Sequence, residues 1–186
     1  MIAGSHVIMW VAHQPPGNDA CRFAANEDGL IIEGSARNTA DDLATRYRVR
    51  AKTGGETRRC RIDRRDRRLL IERDKTGIWT VDGVEAPEVA GALDVDLGFT
   101  PATNSLPIRR LGLEIGRSAD LTVAWLDPSD WRLKPMAQTY RRTGNLTWQF
   151  VSPGFQADLT VDEFGAVTDY PGWWNSQTEE LAADLG

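Results

Sequence analysis

Apolar and polar residues alternate through most of this chain, and the alternation predicts a series of short strands. Residues 6–11 read as a first strand, ended by the turn cluster Pro15-Pro16-Gly17-Asn18. Residues 20–25 and 30–35 form a hairpin around Asn26-Glu27-Asp28-Gly29, and residues 38–43 a polar loop. In residues 45–51, Tyr47 and Val49 alternate with Arg46, Arg48 and Arg50, so one face is apolar and the other cationic. Further strands are expected over 57–63, 69–73 and 78–81, and then over 121–126, 132–141, 146–151, 157–161 and 166–170. Pro135 makes the strand 132–141 an edge or bulged strand, or breaks it. Many short strands with glycine turns at near-regular spacing indicate a sheet that curls or closes.

One stretch departs from this period. Within DVDLGFTPATNSLPIRRLGL, residues 94–113, the apolar spacing suits a helix over about residues 103–115. Thr103, Asn104 and Ser105 are cap candidates, Pro107 fits the first turn, and Gly116 is the expected stop. Leu106, Ile108, Leu111, Leu113 and Ile115 put apolar groups on nearly every side, which predicts an enclosed helix. Arg109 and Arg110 interrupt that surface and need partners, because an unpaired buried charge is costly. Asp94 and Asp96, two apart on an extended segment and so on one side, are the candidates.

The resulting plan is a single domain: a meander over 1–98, the central motif and helix over 99–117, a second meander over 118–171 and a tail over 172–186, with a short helix expected over 177–184. Two similar hairpins whose acidic turns end in Gly77 and Gly165 are compatible with an internal duplication, and equally with two unrelated hairpins that share an acidic glycine turn. The 41% hydrophobic and 26% charged fractions are those of an ordinary soluble globular protein. A net charge of −5 argues against general nucleic-acid binding. No stretch approaches the roughly 20 apolar residues of a membrane span, and the first residues lack a basic n-region. With Cys21 and Cys60 the only cysteines, the expected setting is cytoplasmic with reduced thiols.

Candidate chemistry is sparse. Asp94-Val95-Asp96 has the spacing of a metal-holding carboxylate pair, but further oxygen ligands and a phosphate loop would be needed. Pairing with Arg109 and Arg110 is the simpler role, and no metal or cofactor is expected. A nucleophile pair of Cys21 with His13 has no supporting motif. The arginine run 58–70 has the charge to attract a phosphate or an anionic headgroup; as a strand it puts Arg59 and Arg61 on one face and Arg58, Cys60 and Ile62 on the other, and with Asp63 and Asp66 interleaved it reads more simply as a solvated hairpin tip. Of seven tryptophans, Trp79, Trp148 and others on strands suit a core. Adjacent Trp173 and Trp174 face opposite ways, so one is exposed unless a dimer contact or a binding rim covers it.

GIWTVDG, the 94–113 motif, QTYRRTGNLTWQF and FQADLTVDEFGAVTDYPGWW together resemble a bacterial glycolipid-binding family, over about residues 30–174. The resemblance implies a spiral β-roll, a mostly antiparallel sheet wrapped around a single central helix, commonly as a homodimer, with a lipid or glycolipid as ligand. A sheet around a helix leaves a slot wherever side chains fail to fill it, and an acyl chain there gains about 0.8 kcal/mol per methylene. Asp94, Asp96, Thr100, Asn104, Arg109 and Arg110 are candidates to read a headgroup or to lock helix to sheet, with Trp79, Tyr140, Trp148, Trp173 and Trp174 as aromatic candidates. The leading expectation is a non-catalytic intracellular lipid-binding protein. The alternatives are an enzyme of lipid or sugar metabolism using Asp94 and Asp96 with Arg109 and Arg110, and a dimeric module without a small ligand.

Overall fold

The structure is a computed structural model that describes residues 4–38 and 43–177. Its strands form one fifteen-stranded sheet, antiparallel except at one edge. In chain order they are β1 (Gly4–His13), β2 (Pro16–Asn26), β3 (Gly29–Asn38), β4 (Ala44–Ala51), β5 (Thr57–Arg64), β6 (Arg67–Arg73), β7 (Trp79–Val81), β8 (Val84–Glu85) and β9 (Val95–Leu97). After the central helix come β10 (Ser118–Asp127), β11 (Arg132–Arg142), β12 (Thr147–Ser152), β13 (Phe155–Val161), β14 (Val167–Tyr170) and β15 (Trp174–Ser176). Strands β1 to β8 lie side by side as one meander, and β10 to β15 as another. The two meet where β15 pairs with β1, and β9 runs parallel to β10 at the far edge.

The sheet curls without closing into a hydrogen-bonded barrel. Its β9 edge is nevertheless stitched to the start of β5: the Thr57 amide donates to Leu93 O (2.9 Å), and Thr57 Oγ1 accepts from the Val95 amide (3.0 Å). Trp10 on β1 reaches across to donate its indole N–H to Val167 O on β14 (2.6 Å). The alternation seen in the sequence explains which face turns inward. On β4, Tyr47 and Val49 are buried while Arg46, Arg48 and Arg50 are exposed, and on β5 Cys60 and Ile62 are buried.

The central helix, α1 (Ser105–Leu111), is shorter than the expected 103–115. A 3-10 turn, Pro101–Asn104, precedes it, capped by Thr100, whose Oγ1 accepts from the Ala102 amide (3.1 Å). The stop is Gly112 in the left-handed conformation (φ 52°), the first glycine past the helix, and not Gly116. Ile115 is therefore outside the helix and exposed. Leu106 belongs to the larger apolar cluster with Trp10, Phe23 and Leu126, whereas Ile108 belongs to a second one with Tyr140, Trp148 and Phe150. The helix thus joins two cores that the sheet alone would leave separate.

The region expected to be a tail is corrected: residues 174–176 are β15, inserted between β1 and β14. Three residues with no alternation give a local pattern too short to recognise as a strand. The helix expected over 177–184 lies outside the described residues apart from Gln177, and the loop expected over 38–43 lies outside them apart from Asn38, which ends β3, and Leu43. Pro135 pairs with Ala124 of β10 on one side, and β12 joins β11 only from Thr139 onward, so Pro135 sits on a locally free edge.

The two similar hairpins have the same turn. Gly77 N donates to Asp74 O, and Asp74 Oδ1 accepts from the amides of Thr76 and Ile78. Gly165 N donates to Asp162 O, and Asp162 Oδ1 accepts from the amides of Gly165 and Ala166. Both glycines hold positive φ, 95° and 92°.

Candidate functional site

The central segment is held by buried polar contacts before it reaches any cavity. Thr100 Oγ1 donates to Asp19 Oδ2 (2.5 Å), and Tyr47 Oη donates to the same oxygen (2.6 Å). Burial raises the Asp19 carboxyl above its ordinary range, with the Thr100 and Tyr47 hydrogen bonds opposing it. Thr103 Oγ1 accepts from the Leu97 amide (3.1 Å) and donates to Asp96 Oδ1 (3.0 Å). Asn104 does not cap the helix; its Nδ2 donates to Tyr140 Oη (2.8 Å). Asp19 and Tyr47 had no distinguishing mark in the sequence. Asp19 follows a turn cluster, and Tyr47 reads as ordinary core.

Asp94 and Asp96 diverge. Asp94, 1% exposed, receives Nη2 (2.5 Å) and Nε (3.2 Å to each oxygen) of Arg110. Arg109 departs from the expected pairing with these aspartates. It donates to Phe164 O, and its guanidinium lies 4.0 Å from the centre of the Phe164 ring. Consecutive residues on a helix point in different directions, so one carboxylate pair cannot serve both arginines. Asp96 takes Thr103 on one oxygen and Gln138 Nε2 on the other (2.7 Å). Among the described residues, no three His, Cys, Asp or Glu side chains converge on a point that could hold a metal. His13 is bonded to Asn175 at one end of β1, while Cys21 is buried opposite Ile8 further along that strand.

Two adjoining cavities open at one end of the roll. The first, about 180 Å³, lies where β11 runs on beyond the β12–β13 hairpin. Asp96, Thr100, Asn104 and Gln138 supply its polar wall, and Trp125, Phe150, Phe155 and Tyr170 its aromatic wall. None of its lining side chains is a cation. Burial pushes the Asp96 carboxyl upward, opposed by its hydrogen bonds from Gln138 and Thr103, and burial likewise raises the Tyr170 phenol. Gln138 is 4% exposed, and its Oε1 has no hydrogen-bond partner among the described residues.

The second cavity, about 340 Å³, is lined by Phe99, Trp131, Pro15 and Pro128, with Arg37 and Arg64 at its edge. Gly98, Trp173 and Trp174 belong to both cavities. A Cβ on Gly98 would lie 2.7 Å from Trp125 Nε1 and 2.8 Å from Pro128 Cδ, so only glycine lets these walls approach. Trp173 is 43% exposed on the rim, and Trp174 is half-buried.

Of the residues singled out from sequence, Asp96, Thr100, Asn104, Trp173 and Trp174 come together here. Tyr140 stands behind Asn104. Asp94, Arg109, Arg110, Trp79 and Trp148 line neither cavity. Trp79 is buried and donates to Ala92 O (3.0 Å), and Trp148 is buried in the second core. Gln138, Phe150, Phe155 and Tyr170 were missed, since each sits in a plain alternating strand and only the ending of β12 exposes them to a common space.

A family described as "Putative glycolipid-binding" has a model that matches residues 7–176. The chain belongs to this glycolipid-binding family. A crystal structure of a DUF1089 family protein from Pseudomonas aeruginosa is similar over 94% of this chain and 93% of that one, at 26% identity and a TM-score of 0.69. No curated protein matches. The family match begins well before residue 30, where the resemblance in the sequence begins, and takes in β1 and β15 together.

Proposed function

We propose that this member of the glycolipid-binding family binds a lipid with a hydroxyl-bearing headgroup, without catalysis, in the paired cavities. The observation that carries the reading is Gln138, almost wholly buried, fixed by Asp96 and lining an aromatic cavity, with an acceptor oxygen that no donor among the described residues meets. A buried acceptor without a donor is costly, and a hydroxyl entering the cavity would satisfy it. Absence of cations in that wall favours an uncharged, sugar-like headgroup over a phosphate. The neighbouring apolar cavity suits an acyl chain, at about 0.8 kcal/mol per methylene buried. The two volumes together fall within the roughly 300–1,000 Å³ of small-molecule sites.

The enzymatic alternative on Asp94, Asp96, Arg109 and Arg110 is less favoured, because three of the four line neither cavity. The test is native mass spectrometry of protein purified gently from its host, with solvent extraction of what it carries. It is paired with a titration of tryptophan fluorescence by monomeric octyl glucoside. A glycolipid at defined stoichiometry and a saturable fluorescence change are expected. A bare protein that also ignores octyl glucoside overturns the reading.

A further inference from the structure

Outward positions of β4 and β5 carry arginine almost without interruption. Arg46, Arg48 and Arg50 on β4 and Arg59 and Arg61 on β5 are all exposed. The register sets Arg48 opposite Arg61 and Arg50 opposite Arg59, so like charges face each other across the ladder. Such pairs destabilise a sheet, and solubility alone does not require them. Arg22 on β2 and Arg68 on β6 extend the face. Its carboxylates are Glu33, bridging to Arg48 (3.0 Å) and Arg22 (3.7 Å), Asp63, to Arg61 (2.7 Å) and Arg68 (3.6 Å), and Glu72, to Arg59 (2.8 Å). Among the described residues, seven guanidinium groups against three carboxylates leave a cationic excess on one face of a chain with a formal net charge of −5.

The face ends at the hairpin tip between β5 and β6, which reaches the cavity mouth: Arg65 and Arg68 stay exposed there, while Arg64 and Arg67, opposite each other in the ladder, turn to the inward side and bridge to Asp66. Arg64 lines the larger cavity, and the guanidinium groups of Arg64 and Arg67 lie 5.4 and 4.7 Å from the Trp131 ring. Trp173 is exposed on the rim of the same cavity. Clustered arginine beside an exposed tryptophan is the composition of a surface that meets lipid headgroups.

We infer that this arginine face docks the protein on an anionic phospholipid bilayer, bringing the cavity mouth to the membrane surface. The purpose of the docking rests on the cavity reading above, but its test does not. Flotation of the full chain with vesicles of phosphatidylcholine, alone or equimolar with phosphatidylglycerol, measures it directly. Binding to the mixed vesicles only is expected, and it should disappear at about 1 M salt, where the Debye length falls to about 3 Å. Arg46→Gln with Arg50→Gln lines neither cavity and should lower the partition about fivefold per arginine, with melting equal to or above the parent's and an unchanged octyl glucoside titration. Equal partition onto both vesicle types, no partition, or a double variant that floats like the parent overturns docking. So does a preference for duplex DNA over the mixed vesicles. In each of these cases a retained octyl glucoside response leaves the cavity reading standing, whereas its loss in the parent protein sinks that reading separately.

Discussion

Replacing Arg110 by methionine tests how the central segment is anchored. The aliphatic stem of Arg110 lies against Gly55, where an added Cβ would be 2.7 Å from Arg110 Cβ, and methionine keeps most of that contact. Only the guanidinium is lost, and with it every side-chain hydrogen bond that Asp94 receives among the described residues. Stranding one partner of a buried ion pair costs about 3–5 kcal/mol. Asp94 is 1% exposed but Arg110 is 15% exposed, so water reaches one side and the lower end, about 3 kcal/mol, applies. For a chain of this size that is a fall in Tm of roughly 6–12 °C.

The pH dependence follows from the same pair. Burial already raises the Asp94 carboxyl above its ordinary range, opposed by the hydrogen bonds and charge of Arg110. Without the guanidinium it rises further. A carboxyl raised in the folded state above its unfolded value takes its proton first in the folded state, so acid favours folding of the variant. The deficit against the parent is full above the raised value and shrinks as pH falls through it. Thermal melts followed by circular dichroism, from neutral pH down to about pH 5 where most other carboxylates remain ionised, measure this. Adding Asp94→Asn to Arg110→Met should recover part of the loss. A variant melting within about 2 °C of the parent, or a deficit that grows toward acid, refutes the argument.

Gln138→Leu removes both the donor to Asp96 and the unpartnered acceptor; octyl glucoside affinity should fall about tenfold, with about 1–2 kcal/mol of stability lost in urea titration. Gly77→Ala and Gly165→Ala should each cost about 1–2 kcal/mol by the same titration, because both positions hold positive φ. The two costs should be similar, since each added Cβ would meet an arginine at 3.1 Å, the Arg109 stem at Gly165 and, at Gly77, the Arg73 guanidinium held by Ala92 O and Glu56. Cys60 is wholly buried, which pushes its thiol up to about 12, and Cys21 is raised by burial as well; neither should react with a thiol reagent until the protein unfolds, and rapid labelling of the native state would contradict this.

The curled sheet was legible because inward positions repeat every second residue over long stretches such as Thr45-Arg46-Tyr47-Arg48-Val49-Arg50. The central helix was legible in place but not in extent. Leu113 and Ile115 continue the apolar pattern past Gly112, and only the left-handed backbone at Gly112 shows that the helix has already ended. The strands β8, β9 and β15 are two or three residues long, too short to carry a period; β8 only completes a hairpin with β7, whereas β9 and β15 are set by β10 and β1, distant in sequence. The site followed the same division. Asp96, Thr100 and Asn104 lie in a conspicuous motif, whereas Gln138 lies on β11 just beyond its last pairing with β12, and only the fold brings it to the wall of the cavity.

The place of β15 has a consequence for how the chain acquires its shape. Of the described strands β1 is made before the others, but its second neighbour is β15, where Trp10 pairs with Ser176, and the Trp10 indole waits for Val167, 157 residues away. Either meander can zip locally through its own hairpins, yet a nascent chain carries Trp10 and its apolar neighbours unpaired on one edge until nearly all of the described residues have left the ribosome. Long-range pairing of this kind is slow, and an open strand edge invites association with other chains in the meantime. Deleting residues 174–176 should therefore shift expression from soluble protein toward aggregate, even though both meanders remain intact.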